Sequence, residues 1–297
     1  MKSACFCCCT LLFFLCSSPT WANRHLAPLS ESQEKARPVP GLNNQIEVHP
    51  TTGQLFMKGA AVNLDFPMIV VRHGETDGNR RFMFQGHVDE AENQLNKTGK
   101  KQARAAAKKL FRELQKTLGR KLLMEMARSG RLPVLTSPLG RAKETAEYFL
   151  EYFKQQTGIL LREEIEPDLI EVNFGACDGY SLEQIHDEEL IALIDRYRST
   201  QDATISWKAG ESFLAMTLRA KKLLETMNQN YAGKVVVAFT HGTFMSALRT
   251  AVGDRALLKE NGMVAFRDKV LPHGTVHWLG GGETLQAFRM KSLERSS

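Results

Sequence analysis

Outside its first 22 residues the chain contains very little cysteine. Five of the six cysteines lie between Cys5 and Cys16, which leaves Cys177 alone in the rest of the sequence. A region with one cysteine forms no internal disulfide, so its stability must come from a packed core. With 297 residues, 43% of them hydrophobic, the chain is long and apolar enough to bury such a core.

The sequence also lacks a hydrophobic run long enough to span a membrane comfortably. The apolar stretch from Ala4 to Cys16 has about 13 residues, against about 20 for a spanning helix. A lysine precedes it and small or polar residues up to Ala22 follow it, which is the order of a secretory signal peptide. We therefore expect residues 1–22 to direct export to the periplasm or out of the cell, with no stable membrane insertion after cleavage. Lipidation at Cys16 is the alternative, disfavoured because a bulky leucine precedes that cysteine.

Neither sign of charge dominates the chain, which has 39 Lys and Arg against 33 Asp and Glu, a formal charge of +6. This balance permits an anionic ligand without identifying it. Residues 108–131 hold eight Lys or Arg against two glutamates, but few aromatic residues are interleaved with them. We interpret this segment as a solvated helix face and expect no nucleic-acid binding. No Walker-type GKS or GKT loop, GxSxG elbow or HExxH zinc helix occurs in the sequence.

The pattern of residues divides the chain into three parts. After the signal peptide, residues 23–60 are predicted to form an N-terminal linker, polar up to about residue 45, followed by a possible hairpin around Thr51 to Gln54. Residues 61–297 are predicted to form the main domain.

Strands and helices alternate along this main domain. Apolar runs at 66–71, 132–136 and 234–240 lack regular polar alternation, as is typical of strands covered on both faces. Helical patterns follow, with predicted starts at Ser137-Pro138, at the Ser181–Gln184 capping box and at Ser212. The repeated order predicts an α/β fold, a three-layer αβα sandwich with a mainly parallel central sheet.

Polar side chains follow the three predicted strands. Arg72 and His73 end the first, Ser137 and Arg141 follow the second, and His241 ends the third. Ligands of such sheets bind beyond the carboxyl ends of the strands, so we expect these residues to converge. Arginine binds phosphoryl oxygens in a bidentate way, and a neutral imidazole is a nucleophile toward phosphorus. The chemistry needs no metal or other cofactor, because the protein's cations supply the positive charge.

Six motifs, in this order, resemble the histidine phosphatase superfamily in its phosphoglycerate mutase-like branch. They are VVRHGETDGN, FQGHVD with NQLNKTGKKQA, LTSPLGRAKETA, IEVNFGACDGYS, GESF and FTHGTFMSAL. The resemblance extends from about residue 67 to 280. It implies the phosphoglycerate mutase-like fold and a phosphohistidine intermediate.

The resemblance also implies a role for each matched residue. His73 is expected to be the nucleophile, and Glu171 the proton donor to the leaving group and then the base for water. The phosphoryl group is expected to be held by Arg72, Asn79, Arg141, His241 and Gly242. Gln85, together with Arg80 and Arg81, is either a site for a second anionic group of the substrate or a surface feature.

Some positions depart from the family pattern or stay open. Asp178 lies near Glu171 in sequence and is an alternative carboxylate, while Cys177 is interpreted as a packing residue. His273 stands where a small polar residue is expected, and either contacts substrate or lies at a strand edge. His87 and His277 are further histidines that could approach the mouth of the site.

Three functions are compatible with this pattern. The first is a metal-independent phosphatase that hydrolyses phosphate monoesters, with a small phosphorylated compound or a phosphopeptide as substrate. The second is a phosphoglycerate mutase-type phosphoryl transfer, which the predicted export disfavours because its substrates are intracellular. The third is a non-catalytic module that binds a phosphorylated ligand or partner. The sequence leaves the oligomeric state open.

Overall fold

A five-stranded sheet lies at the centre of the computed structural model, which describes residues 35–266, 268–280 and 288. All of these residues fall within one unit, Lys35–Ser297. The predicted signal peptide, residues 1–22, lies outside the described residues, as does the first part of the predicted linker.

The central sheet has the strand order β6-β5-β7-β4-β8. Its first four strands are parallel to one another, and β8 runs antiparallel to β4 at the edge. The bounds are β4 Met68–Arg72, β5 Val134–Thr136, β6 Glu163–Ile165, β7 Val236–Thr240 and β8 Val276–Leu279. The three apolar runs of the sequence therefore form the three inner strands.

Alternate residues of the inner strands face two separate hydrophobic layers. In β4, Met68 and Val70 belong to one buried cluster, whereas Ile69 and Val71 belong to the other. This arrangement follows from the two-residue period of a strand, and it explains why both faces of β4 are apolar.

Helices cover both faces of this sheet. α2 (Lys97–Arg128, interrupted at Gly119) and α3 (Gly140–Thr157) pack together on one face, while α4 (Glu188–Thr200), α5 (Phe213–Asn230) and α6 (Gly242–Ala251) belong to the cluster on the other. A short helix, α1 (Asp77–Arg80), follows β4. The prediction of a three-layer α/β sandwich with a mainly parallel sheet is confirmed.

Residues 37–57 form a small antiparallel sheet of β1 (Arg37–Pro38), β2 (Ile46–Val48) and β3 (Leu55–Met57). The hairpin of β2 and β3 turns at residues 49–54, where the sequence places its possible hairpin. Leu42 and Ile46 are fully buried in the same cluster as α5 and α6. Val39 and Leu42, which the sequence places in the polar part of the linker, are therefore packed against the core.

Among the described residues, none of the helices combines the length and the apolar character that a membrane crossing needs.

Candidate active site

The ends of β4 and β7 place two histidines side by side. Arg72 is paired with Thr240 in the parallel register, and the His73 N–H donates to the Thr240 carbonyl oxygen at 3.0 Å. The next residue of each strand therefore lies at the same level. The ring centroids of His73 and His241 are 5.1 Å apart, with an angle of 58° between the rings.

His73 has one free ring nitrogen. Its Nδ1 lies 2.6 Å from the Gly74 carbonyl oxygen, which only accepts, so Nδ1 carries the proton and Nε2 keeps its lone pair. The side chain is buried, and this burial lowers its pKa well below the ordinary value. The positive charges of Arg141 and Arg72 lower the pKa further. His73 is therefore an uncharged imidazole with one nucleophilic nitrogen.

His241 is fully buried and contacts Ser137. Its Nε2 lies 2.7 Å from the Ser137 Oγ, whereas its Nδ1 is buried without a hydrogen-bond partner among the described residues. Burial first, and the charge of Arg141 second, hold the pKa of His241 well below its ordinary value. When the Ser137 hydroxyl donates to Nε2, the proton of the neutral ring is on Nδ1. A buried donor without an acceptor costs about 1–3 kcal/mol, which an oxygen of a bound ligand would offset.

Backbone carbonyl groups fix both guanidinium groups of the site. Arg72 donates from Nη1 to the Leu271 oxygen at 2.5 Å, and Arg141 donates to the oxygens of Gly86 at 2.8 Å and Val88 at 3.0 Å. Each terminal nitrogen of Arg141 carries a second N–H, so this anchored group keeps donors for a ligand. Burial lowers the pKa of Arg141 to about 10, which leaves the side chain charged at neutral pH, and its buried Nε has no partner among the described residues.

Glu171 lies against the N-terminus of α6. Its Oε1 accepts from the backbone N–H of Phe244 at 2.8 Å and of Val172 at 3.0 Å, and its Oε2 accepts from that of Thr243 at 3.0 Å. A carboxylate offers about four acceptor positions, so one position on Oε2 remains. The carboxyl group is buried, and its charge acts on the Arg141 guanidinium, whose pKa it raises.

Asn79 is oriented by a capping box in α1. Its Oδ1 accepts from the Thr76 N–H at 3.1 Å, and its own N–H donates to the Thr76 Oγ1 at 3.0 Å. With the oxygen committed to Thr76, the NH2 group of Asn79 is available to donate. Gln85 is buried beneath this turn, and its Oε1 accepts from the Thr76 Oγ1 at 2.7 Å and from Asn93 at 3.1 Å. The structure therefore shows Gln85 as a support for α1.

Arg80 and Arg81 form surface ion pairs. Arg80 lies 2.9 Å from Asp77, and Arg81 lies 2.8 Å from Glu92. Both arginines are exposed, so the pairs contribute little to stability.

Gly242 is the first residue of α6, and the Arg72 guanidinium packs directly on it. A Cβ at this position would lie 2.7 Å from the Arg72 Cζ, so any larger residue would displace the cation. The first N–H groups of a helix lack partners within the helix. Those of Thr243 and Phe244 donate to Glu171, and that of Gly242 has no hydrogen-bond partner among the residues that the structure describes.

Asp178 holds a loop together. Its Oδ2 accepts from the His87 N–H at 3.1 Å and its Oδ1 accepts from the Phe174 N–H at 3.3 Å. The His87 ring nitrogen Nε2 in turn lies 2.9 Å from the carbonyl oxygen of Glu171. Cys177 is fully buried in the core, and burial raises the pKa of its thiol to about 11, consistent with a packing residue.

Two residues of the site were not assigned from the sequence. The sequence places Ser137 among the converging strand-end residues and as a helix cap, without giving it a role in the site. α3 begins at Gly140, and the Ser137 hydroxyl contacts His241. Its position directly after β5, which matches the positions of His73 and His241 after their strands, is the signal for this placement. His273, left open, lies beside His73 with ring centroids 5.6 Å apart, whereas His277 pairs with Asp254 at 3.6 Å.

Within the described residues, no group of three or more His, Cys, Asp or Glu side chains is arranged to hold a metal ion.

Comparisons with known proteins point to one family. The model of the histidine phosphatase superfamily (branch 1) matches residues 68–260. A metal-independent phosphoserine phosphatase of Arabidopsis thaliana is 30% identical over 182 residues, 61% of this chain and 66% of the relative. A mannitol-1-phosphatase of Eimeria tenella is 30% identical over 184 residues, 61% of this chain and 54% of the relative.

A solved structure is similar as well. The mycobacterial glucosyl-3-phosphoglycerate phosphatase, in complex with VO3, has a TM-score of 0.50 and 25% identity, over 72% of this chain and 92% of that one. The chain spans less than two thirds of the length of each of the two curated relatives. The family match covers well over half of the chain and includes β4 to α6, and hence every central residue of the site. The chain belongs to the histidine phosphatase superfamily, branch 1.

Proposed function

We propose that the protein hydrolyses phosphate monoesters through a phosphohistidine at His73, without a metal ion. The observation that carries this proposal is a pair of buried, uncharged imidazoles between two anchored guanidinium groups. Such a site attracts a dianion, and it keeps a nucleophile free of a proton at neutral pH.

In the first step His73 attacks the bound phosphoryl group. The lone pair of Nε2 forms the N–P bond as the bond from phosphorus to the ester oxygen breaks, and the electron pair goes to the leaving oxygen. Arg72 and Arg141 stabilise the charge on the phosphoryl oxygens, and the Nδ1–H of His241 donates to one of them. Glu171, protonated at its remaining Oε2 position, gives its proton to the leaving oxygen.

In the second step water replaces the alcohol product. Glu171, now ionised, takes a proton from the water as its oxygen attacks phosphorus, and the N–P bond breaks. The electron pair returns to Nε2 of His73, and inorganic phosphate leaves. The enzyme regains its starting protonation, so the cycle needs no other reactant.

The substrate class follows from the charge of the site and from the relatives. One relative is named as a phosphoserine phosphatase and another as a mannitol-1-phosphatase. These names support a small phosphorylated compound as the substrate of this protein. A phosphopeptide with an accessible phosphoserine offers the same group.

The test is a phosphate-release screen over phosphomonoesters, with and without chelator, on the wild type and on His73→Ala. We expect turnover that resists chelator, and an acid-labile, alkali-stable phosphoenzyme in quenched reactions. His73→Ala should lose both. The matched control is His186→Ala, which removes an exposed histidine of the surface and should behave as wild type.

Other outcomes would identify the competing functions. A label on serine or cysteine would refute the phosphohistidine. Isomerisation that depends on a bisphosphate, without phosphate release, would indicate a mutase. Binding of phosphate without turnover in wild type would indicate a non-catalytic module.

We also propose that the protein acts outside the cytoplasm, because residues 1–22 have the order of a signal peptide. The N-terminus of the mature protein should begin at Asn23. Sequencing an intact N-terminus from the cytoplasmic fraction, or a lipid on Cys16, would contradict this.

A further inference from the structure

His273 lies beside both Arg72 and His73. It lies in the turn before β8, and its Nε2 is 2.9 Å from the Nη2 of Arg72. Two backbone hydrogen bonds fix the turn to the end of β4. The Gly274 N–H donates to the Arg72 carbonyl oxygen at 3.1 Å, and the backbone N–H of Arg72 donates to the Thr275 carbonyl oxygen at 3.0 Å. The ring is therefore held at a set distance from both Arg72 and His73.

The contact with Arg72 determines which form of the His273 ring is present. A guanidinium nitrogen carries only hydrogens, so Nε2 must accept and the ring proton must be on Nδ1. Burial first, and the charge of Arg72 second, lower the pKa of His273 to about 3. The charge of Arg72 acts on this ring and favours its neutral form.

A neutral acceptor suits this position for a physical reason. A carboxylate here would hold Arg72 more strongly but would cancel much of the charge that a dianion needs. An imidazole fixes one N–H of the guanidinium and leaves its charge intact. Together with the Leu271 oxygen on Nη1 and the backbone of Gly242 beneath, it constrains the plane of the guanidinium from several sides.

We propose that His273 is a positioning residue, which orients the Arg72 guanidinium toward the phosphoryl group by accepting its Nη2–H without placing a negative charge beside it. The role rests on the proposed phosphoryl chemistry at His73 and adds a residue to it. It also explains why a ring occupies a position where a small polar side chain is expected.

The test compares three substitutions at residue 273 by titration with inorganic phosphate and by steady-state kinetics. His273→Gln keeps a neutral acceptor near the place of Nε2, and we expect phosphate affinity within about 3-fold of wild type. His273→Phe keeps the ring without the acceptor, and we expect affinity and kcat/KM to fall about 10-fold or more, as for a buried donor left unpaired. His273→Glu supplies an acceptor that is charged, and we expect a comparable loss through the cancelled charge.

Two further measurements separate positioning from a general structural effect. In the Arg72→Lys background, His273→Phe should cause little additional loss of phosphate affinity, because the residue acts through Arg72. The matched control is His277→Phe, which alters a histidine of the adjoining strand that pairs with Asp254 and should leave phosphate affinity unchanged. Thermal unfolding of each variant checks that it is folded.

The outcomes distinguish this proposal from the proposed function. If wild type forms the phosphoenzyme but His273→Phe binds phosphate as wild type does, the role of His273 is refuted and the function stands. If His273→Phe weakens phosphate binding while wild type forms no phosphoenzyme, the role stands and the function is refuted. A wild type that binds no phosphate overturns both.

Discussion

At the scale of single residues, the site depends on keeping histidine neutral. Both imidazoles, His73 and His241, are buried beside Arg72 and Arg141, and each of these features disfavours a second proton on the ring. The arginines remain charged because a guanidinium loses its proton only at high pH. In the proposed mechanism the same two cations attract the phosphoryl dianion and keep the His73 nucleophile free of a second proton.

Replacing Glu171 by Gln should lower turnover most for substrates with poor leaving groups. The amide supplies no proton to the ester oxygen, and loss of a general acid typically costs about 100-fold or more. An aryl phosphate with a good leaving group needs less protonation, so its first step should be affected less. The measurement is kcat/KM for an alkyl and an aryl phosphate in both proteins.

The variant also changes the start of α6, because an amide NH2 cannot accept from Thr243 or Phe244 as the carboxylate does. Thermal unfolding measures that contribution separately. An equal loss for both substrates, accompanied by a large loss of stability, would assign Glu171 a structural role.

At the scale of elements, the loop after β4 and the start of α2 approach more closely than side chains allow. A Cβ on Gly74 would lie 2.4 Å from the Gly99 carbonyl oxygen, and one on Gly99 would lie 2.0 Å from that of Glu75. Both neighbours are backbone atoms, which cannot rotate away. This contact holds the His73 loop against a 32-residue helix.

Replacing Gly99 by Ala should therefore lower both stability and turnover. In an ordinary helix this change stabilises by up to about 1 kcal/mol, but here the contact with Glu75 must open and displace the loop that carries His73. Denaturant unfolding and kcat/KM measure the two effects.

Gly140→Ala is the matched control, since Gly140 also lies in the first turn of a helix near the site. The three atoms nearest to its added Cβ all belong to the Gln94 side chain, which is able to move. Similar behaviour of the two variants would contradict the importance of the backbone contact.

At the scale of the whole molecule, the buried imidazoles couple folding to pH. The pKa values of His73, His241 and His273 are all lowered in the folded protein, while an unfolded histidine has an ordinary value near 6.5. Below about pH 6.5 the unfolded chain therefore binds more protons than the folded one. Stability is fully present above this pH and is lost as the pH falls.

We expect the free energy of unfolding to fall between pH 6.5 and pH 5 by up to about 1.4 kcal/mol per pH unit for each of the three imidazoles. Urea unfolding across this range measures the slope. His273→Gln removes one of the three groups and should reduce the slope, whereas the exposed control His186→Ala should not. A stability that is flat or rises as the pH falls would show that these rings are not held neutral.

Much of the fold was predictable because β4, β5 and β7 are apolar on both faces. A strand has this pattern when helices cover both faces of its sheet. The helix from Ser212 was also predicted, since Ser212 caps α5 by accepting from Ala215. The capping box at Ser181 was present but closes only a 3-10 turn, and α4 begins later, at Glu188 with Asp187 as cap. Local capping signals therefore identified a turn without fixing its length.

The sequence by itself determined the three inner strands, their order along the chain and the residue types that follow them, because these depend on local hydrophobic pattern and on short motifs. Tertiary structure alone decided the contacts across the chain: Ser137 with His241, Glu171 with the start of α6, and His273 with Arg72. Each contact joins residues more than 70 positions apart, and the burial that keeps His73, His241 and His273 neutral arises only in the folded chain. No local pattern encodes such distances, since they arise only when the strand ends meet.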